Sequence, residues 1–249
     1  MRLVVAIALL VAITSGAGFA DTNAQKYNEA NKRFTDGDYL SALELYNSIG
    51  IKNQNLEYNR GVAYFKLGRL GKAVLHFNRA LRLNPNDEDA RANLKYINSI
   101  KKDKEKENKT GTLQAVLSAL TNSFSMNGLT AITLVFYLLT ALAISGYLLV
   151  KKTGGARLAI GAIVVCSTAT LVFASVTGVR IYKLENKKMA VAMQKEIVAR
   201  TGPTENANTA FIFHEGTVVT VGETRNGFVK VILSSGITAW AHMRDLEKI

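Results

Sequence analysis

Two long runs without a charged residue constrain this chain more than any other feature of its sequence. The first is 129–150 and the second is 158–179, and each contains 22 residues. An α-helix rises about 1.5 Å per residue, so either run is long enough to cross the ~30 Å hydrocarbon core of a bilayer. The sequence therefore predicts two transmembrane helices, and the short segment 151–157 between them predicts a tight hairpin.

The charges and the N-terminal segment predict the orientation of this hairpin. The connecting segment carries Lys151, Lys152 and Arg157 and no acidic residue, which favours the cytoplasm under the positive-inside rule. Residues 1–20 combine Arg2, an apolar stretch and small residues, which is typical of a signal peptide; an uncleaved N-terminal anchor is the alternative. Either version exports the chain that follows. Both soluble parts are therefore expected in the periplasm, outside the inner membrane of a bacterium.

Two segments near the N-terminus repeat one pattern of small and large residues at an offset of 31. The matched positions are Ala30, Gly37, Ala42 and Tyr46 in the first copy, and Gly61, Gly68, Ala73 and Phe77 in the second. Small residues allow two helices to cross closely, and a glycine ends the first helix of each pair in a left-handed turn. Pro85 is expected to stop the second helix of the second pair.

This pattern resembles the tetratricopeptide repeat. The second copy, about 54–87, carries the residues typical of the family: Gly61, Tyr64, Gly68, Ala73, Phe77, Ala80 and Pro85. The first copy, about 23–52, has Ile49 in place of a small residue and lacks three residues, which predicts a shortened second helix. A further helix from about 88 to 102 is expected to cap the array, so that 21–102 forms two repeats and a capping helix.

The resemblance implies a concave groove that binds extended peptides. The sixth position of each unit points into such a groove, and here these positions are Asn28, Asn59 and Asn93. The groove is expected to be lined also by Tyr27, Asn31, Tyr58 and Val62. An amide donates and accepts hydrogen bonds at once, so the asparagines are expected to hold a peptide backbone. Ordinary polar residues on a helix surface are the alternative interpretation.

The linker 103–128 joins this domain to the first apolar run. It begins with lysines that alternate with acidic residues, and then apolar residues recur at helical spacing. These apolar residues are Leu113, Val116, Leu117, Leu120 and Phe124. They predict an amphipathic helix on the membrane surface, with a helix packed on the repeat domain as the alternative.

Residues 189–249 change to the period of β-strands. About five short strands are separated by turns, and Asn226-Gly227 is a strong hairpin signal. The segments 214–217, 228–231 and 236–240 resemble a bacterial SH3 domain, which implies an SH3-like small β-barrel that binds peptides or cell-wall stem peptides. We expect Trp240 to be a core residue, and a ligand platform is the alternative.

The charge, the single cysteine and the histidines do not indicate nucleic-acid binding, metal binding or catalysis. The net charge is +12, but no domain carries a dense basic face and two of the basic clusters flank the apolar runs, so nucleic acid is not an expected partner. The single Cys166 has no partner, and His76, His214 and His242 show no ligand spacing. The sequence therefore predicts no catalytic residues, no metal site and no cofactor.

Taken together, the order of these segments is similar to the BatE family of Bacteroides aerotolerance operon proteins. The expected fold is a multidomain membrane protein with an α-helical tetratricopeptide-repeat domain, a two-helix transmembrane hairpin and a C-terminal SH3-like small β-barrel. The resemblance implies a non-catalytic scaffold in a stress complex, with von Willebrand A domain membrane proteins as partners. A cell-wall sensor that binds peptidoglycan through the SH3-like domain is the alternative.

Overall fold

A computed structural model describes residues 22–103, 124–152, 155–186 and 188–249. The expected signal peptide and almost all of the expected interfacial helix lie outside these residues. The described chain forms a helical domain, a pair of long apolar helices and an antiparallel β-sheet domain.

The helical domain contains five helices in two antiparallel pairs and a half. They are α1 (22–35), α2 (Tyr39–Ser48), α3 (Gln54–Lys66), α4 (Leu70–Leu83) and α5 (Glu88–Ile100). Gly37 follows α1 with φ 82° and Gly68 follows α3 with φ 72°, the left-handed conformation that glycine adopts without strain. The predicted glycine turns and the short α2 are confirmed, and a further helix, α5, follows the second pair as expected.

Close packing between α3 and α4 explains the small residue at position 61. A β-carbon added to Gly61 would lie 2.8 Å from the ring of Phe77, which is 1% exposed. Side chains in protein cores pack at crystal-like density, so this ring has no room to move away. The repeat pattern therefore specifies which helix faces meet.

Arg60 compensates for the shortened second helix of the first repeat. Helix α2 contains 10 residues against 14 in α4, and its last carbonyl groups need hydrogen-bond donors. The Arg60 guanidinium donates to the carbonyl oxygen of Tyr46 at 2.5 Å and to that of Ile49 at 3.4 Å. Ile49 stands where the repeat pattern has a small residue, and at 3% exposed its side chain is part of the core.

Two helices, α6 (Met126–Val150) and α7 (Ala156–Asn186), contain the two uncharged runs. Met126–Val150 and Ala156–Tyr182 have mean hydropathies of 2.1 and 2.2 and are long and apolar enough to cross a membrane. They lie side by side, with Phe136 stacked on Phe173 at 5.7 Å between ring centroids. Most of their large apolar side chains face outward, as expected of helices surrounded by lipid.

The C-terminal domain is a seven-stranded antiparallel sheet with the order β3-β2-β6-β5-β4-β1-β7. Its strands are β1 (Met189–Ala192), β2 (Glu196–Arg200), β3 (Thr209–His214), β4 (Val218–Arg225), β5 (Phe228–Ile232), β6 (Thr238–His242) and β7 (Leu246–Lys248). Asn226 and Gly227 join β4 to β5 with φ 52° and 78°, so the predicted hairpin is confirmed. The sheet has seven strands where about five were expected, and one of the additional strands is the short β7 at the edge of β1.

The expectation that Trp240 is a core residue is wrong. Along β6 the core side chains are Ala239 and Ala241, which are 4% and 0% exposed. Successive side chains of a strand point to opposite faces, so Trp240 lies on the outer face, where it is half-buried. The core is filled instead by Phe213 and by aliphatic side chains from the neighbouring strands.

Candidate functional site

Three helices carry the seven residues predicted to line a groove. Tyr27, Asn28 and Asn31 lie on α1, Tyr58, Asn59 and Val62 lie on α3, and Asn93 lies on α5. Hydrogen bonds connect α1 to α3 and α3 to α5, so these three helices are neighbours.

A tyrosine–asparagine network joins the first two of these helices. The Oδ1 atom of Asn31 accepts hydrogen bonds from the Tyr46 hydroxyl at 2.7 Å and from the Asn59 amide at 3.2 Å. The Asn59 amide also donates to the Tyr27 hydroxyl at 3.0 Å. Three of the seven predicted residues therefore hold one another in fixed orientations.

A second link of the same kind joins α3 to α5. The Asn93 amide donates to the Tyr58 hydroxyl at 3.2 Å. Val62 packs against the core of the second repeat, whereas Asn28 is exposed. The structure thus brings six of the seven residues into contact with other side chains and leaves Asn28 facing solvent.

Burial disfavours ionisation of two of the tyrosine hydroxyls in these contacts. Burial raises the pKa of Tyr46 to about 12, and it also raises the pKa of Tyr58. Both hydroxyls therefore remain hydrogen-bond donors at physiological pH. A surface built from neutral amides and phenols is suited to peptide groups, which carry a donor and an acceptor but no charge.

A buried charged cluster lies beneath this surface. Glu57, 7% exposed, accepts hydrogen bonds from Arg60 at 2.7 Å and contacts Nδ1 of His76 at 2.7 Å. Burial opposes ionisation of Glu57, but the His76 hydrogen bond and the nearby arginines outweigh it and lower the pKa of the carboxyl group. Burial lowers the pKa of His76, which favours the neutral ring. Tyr64 stacks on this ring at 5.1 Å, so α3 and α4 share a hydrogen bond and an aromatic contact.

The helical domain and the β domain are docked against each other. Helix α4 is buried at five consecutive residues, 73–77, because α3 covers one side and the β domain covers another. Val191 is 0% exposed and belongs to the same apolar cluster as Val74, and Val218 and Ile249 pack against this cluster. The β domain therefore extends the apolar core of the second repeat beyond α4.

A carboxylate of the β domain caps α4. The residue before α4, Arg69, provides no side-chain cap, and Oε1 of Glu215 accepts the Gly71 amide hydrogen at 2.8 Å. A negative charge at this end of a helix is favoured by the helix dipole. A β-carbon on Gly71 would lie 2.7 Å from the carbonyl oxygen of Ala192, so only glycine permits this approach.

Basic residues of α4 protect the edge of the sheet. Lys72 pairs with Glu247, and Arg79 donates to the carbonyl oxygen of Lys248 at 2.7 Å. Arg82 donates to the carbonyl oxygen of Ile249 at 2.5 Å. Unpaired edge groups invite pairing with other chains, and these contacts occupy part of the β7 edge.

Asp103 ties the end of the helical domain to the β domain. Its carboxylate accepts the His214 backbone amide at 2.6 Å and the Thr217 hydroxyl at 2.9 Å, and it lies 2.9 Å from Nδ1 of His214. Burial opposes its ionisation, but these hydrogen bonds prevail and lower the pKa of Asp103. The linker predicted to begin at residue 103 therefore starts with a docked residue.

Sequence reasoning missed this junction. The one available signal was the run 73–77, where apolar residues cover more than one face of a helix, a pattern that indicates burial on several sides. The residues around Glu215 and Asp103 form no local sequence pattern that predicts a contact with the other domain.

The described residues define a class of architecture: a helical-repeat domain, two apolar helices that are able to span a membrane and a C-terminal antiparallel β domain. Residues 55–87 match the tetratricopeptide repeat family. A comparison with curated proteins gives no match. Tetratricopeptide-repeat domains are generally non-catalytic interaction modules.

Within the described ranges, no group of three histidine, cysteine or acidic side chains is arranged to hold a metal ion.

Proposed function

We propose that this chain is a non-catalytic membrane scaffold that binds partner proteins or peptides through the tyrosine–asparagine face of its repeat domain. The observation that carries the proposal is that Asn59 and Asn93 are held in place by tyrosines while Asn28 remains exposed. Fixed polar groups lose little entropy when a ligand binds, which favours affinity.

The docked domains support a two-span topology. Contacts such as Gly71–Glu215 and Asp103–His214 require the helical domain and the β domain to lie on the same side of a membrane. Two crossings by α6 and α7 satisfy this requirement, and one crossing does not. With the export predicted from residues 1–20, this side is the periplasm and the membrane is the bacterial inner membrane.

The resemblance to the BatE family gives the scaffold a more specific role. In this proposal the β domain is SH3-like, and the partners are Bat-type von Willebrand A domain membrane proteins of an aerotolerance complex. The partners supply any chemistry, and the present chain holds them together at the membrane.

Replacing Asn28, Asn59 and Asn93 together by alanine tests the groove. The variant loses three polar side chains of the proposed binding face, and we expect recovery of crosslinked von Willebrand A partners from native membranes to fall at least tenfold, on the order of 0.5–1.5 kcal/mol per lost hydrogen bond. Exposed Asn47 on α2 provides the matched control, since Asn47→Ala should leave recovery unchanged. Full recovery with the folded triple variant would contradict the proposal.

A second candidate function is peptidoglycan binding by the β domain. Trp240 lies on the outer face with Arg200 and Lys230 as its cross-strand partners. An aromatic ring between two cations is suited to the carboxylated peptides of the cell wall.

Retention of the detergent-solubilised full chain on purified sacculi tests this candidate. Trp240→Ala is expected to reduce retention several-fold, whereas Ile237→Ala, a change at an apolar side chain that is 53% exposed, should not. A wild-type chain that is not retained would eliminate peptidoglycan as a ligand.

A further inference from the structure

A cleft of about 450 Å³ lies where the helical and β domains meet. Side chains from α4 and α5 form one wall, and Met189 of β1 and Val218 of β4 form the other. The cleft is distinct from the tyrosine–asparagine face, since none of the seven groove residues lines it.

The polar lining of this cleft is entirely basic or neutral. Arg91, Lys95 and Lys101 contribute cations, and Asn78 and Asn98 contribute amides. No carboxylate is among the lining residues. Lys101 is 6% exposed and donates to the carbonyl oxygen of Gly216. Arg91 and Lys95 are exposed, and Arg91 also donates to the carbonyl oxygen of Pro85. Three cations around one cleft favour an anion, and a guanidinium is suited to phosphate.

The remaining lining is apolar. Leu94 and Ile97 come from α5, Val74 comes from α4, and Met189 and Val218 face them from the sheet. Inorganic phosphate gains nothing from such a surface, whereas a molecule that joins an anionic group to a hydrocarbon gains from both parts.

The position of Met189 along the chain favours a membrane lipid as the source. The apolar part of α7 ends at Tyr182, and the helix continues for four residues before the chain reaches β1. At about 1.5 Å per helical residue and about 3.3 Å per extended residue, Met189 lies within ~16 Å of the end of the apolar helix. Long basic side chains near an anionic bilayer attract its headgroups.

We propose that this cleft binds a phosphate ester that carries an apolar group, and that its source is an anionic membrane lipid. Arg91 and Lys95 hold the phosphate, and Leu94 and Met189 contact the adjoining hydrocarbon. The choice of a lipid source rests on the proposed membrane insertion, but the cleft itself does not depend on partner binding by the repeat face.

Binding of short-chain lipids to the full chain in an uncharged detergent tests this inference. We expect dihexanoyl phosphatidylglycerol to bind, and the double variant Arg91→Gln/Lys95→Gln to weaken its binding about tenfold or more. The control variant Lys32→Gln/Lys66→Gln removes two exposed charges from α1 and α3 and should bind as the wild type does.

Other outcomes overturn the inference in distinguishable ways. Equal binding of dihexanoyl phosphatidylcholine would show that the net anionic charge is irrelevant. Inorganic phosphate that binds as tightly as the lipid would refute the role of the apolar wall and the lipid source. Unchanged affinity in the folded Arg91→Gln/Lys95→Gln variant would refute the site. None of these results depends on whether the asparagine variant retains protein partners.

Discussion

Glu57→Ala is expected to lower the free energy of unfolding of the helical domain by about 3–5 kcal/mol, because it leaves buried charge without its partner. Glu57 is the only carboxylate paired with Arg60 and His76 among the described residues, and all three side chains are about 90% buried. Chemical denaturation of the full chain in detergent, followed by helical circular dichroism, measures the change.

An exposed ion pair in the same domain provides the control. Glu29 and Arg33 form an i,i+4 pair on α1 with side chains that are 44% and 50% exposed. Such pairs contribute about 0.3–0.5 kcal/mol, so Glu29→Ala should change stability little. A Glu57→Ala variant no less stable than Glu29→Ala would contradict a structural role for the buried cluster.

The pH dependence gives this prediction a second signature. The pKa of Glu57 is lowered on folding, so its stabilisation is fully present above the ordinary value of 4.5 and is lost as the pH falls through the lowered value. The contribution of Glu57 to the stability difference between wild type and Glu57→Gln should therefore be constant at neutral pH and shrink in acid below pH 4.5. Burial also lowers the pKa of the neighbouring His76, so this residue adds a separate dependence below its ordinary value of 6.5.

Gly71→Ala is expected to destabilise the junction between the two soluble domains by about 1–3 kcal/mol, the usual effect of overpacking. The new methyl group would meet the Ala192 backbone at 2.7 Å and displace the Glu215 carboxylate from the α4 N-terminus. The sign is diagnostic, because glycine to alanine within a helix normally stabilises by up to about 1 kcal/mol.

Two spin labels report the opening of this junction. Labels at Asn47→Cys in α2 and Glu223→Cys in β4, in a Cys166→Ser background, should give one narrow distance distribution in the wild type and a broad one after Gly71→Ala. Gly50→Ala is the matched control, since a β-carbon there meets no atom within 4 Å. A narrow distribution together with increased stability in Gly71→Ala would contradict the docked arrangement.

Local signals in the sequence predicted the elements of this fold well. Gly37, Gly68 and the Asn226-Gly227 pair stand at turns because positive φ angles restrict the residue type, and this restriction is visible without a structure. The two apolar runs were predictable for a similar reason. A helix that crosses a bilayer must itself be long and apolar enough, so the signal lies within each run.

Contacts between distant segments were not predictable in the same way. Gly71 and Glu215 are 144 positions apart, and Asp103 and His214 are 111 apart, so no periodicity connects them. Trp240 was misplaced because Thr238–His242 alternates small and large residues, and the core of this sheet takes the small ones. Strand β7 has three residues, two of them charged. It forms because the backbone of β1 pairs with it on the side opposite β4.

The candidate groove was partly predictable from the sequence. Asn28, Asn59 and Asn93 follow from the repeat resemblance, but their tyrosine partners depend on how neighbouring helices pack. Tyr46 in particular lies on α2 and reaches Asn31 across the repeat. The sequence therefore predicted the residues of the proposed face, and the hydrogen bonds that orient Asn59 and Asn93 became visible only in the structure.

Cysteine labelling in intact spheroplasts tests the central claim most directly, namely that one membrane hairpin holds two docked domains on the same outer side. Single cysteines replace Asn47, Glu223 or Lys152 in a Cys166→Ser chain, and a membrane-impermeant maleimide is added before and after permeabilisation. We predict that the Asn47 and Glu223 positions react in sealed spheroplasts, and that the Lys152 position reacts only once the membrane is opened. Labelling of one domain without the other, or of the Lys152 position in sealed spheroplasts, would contradict the account.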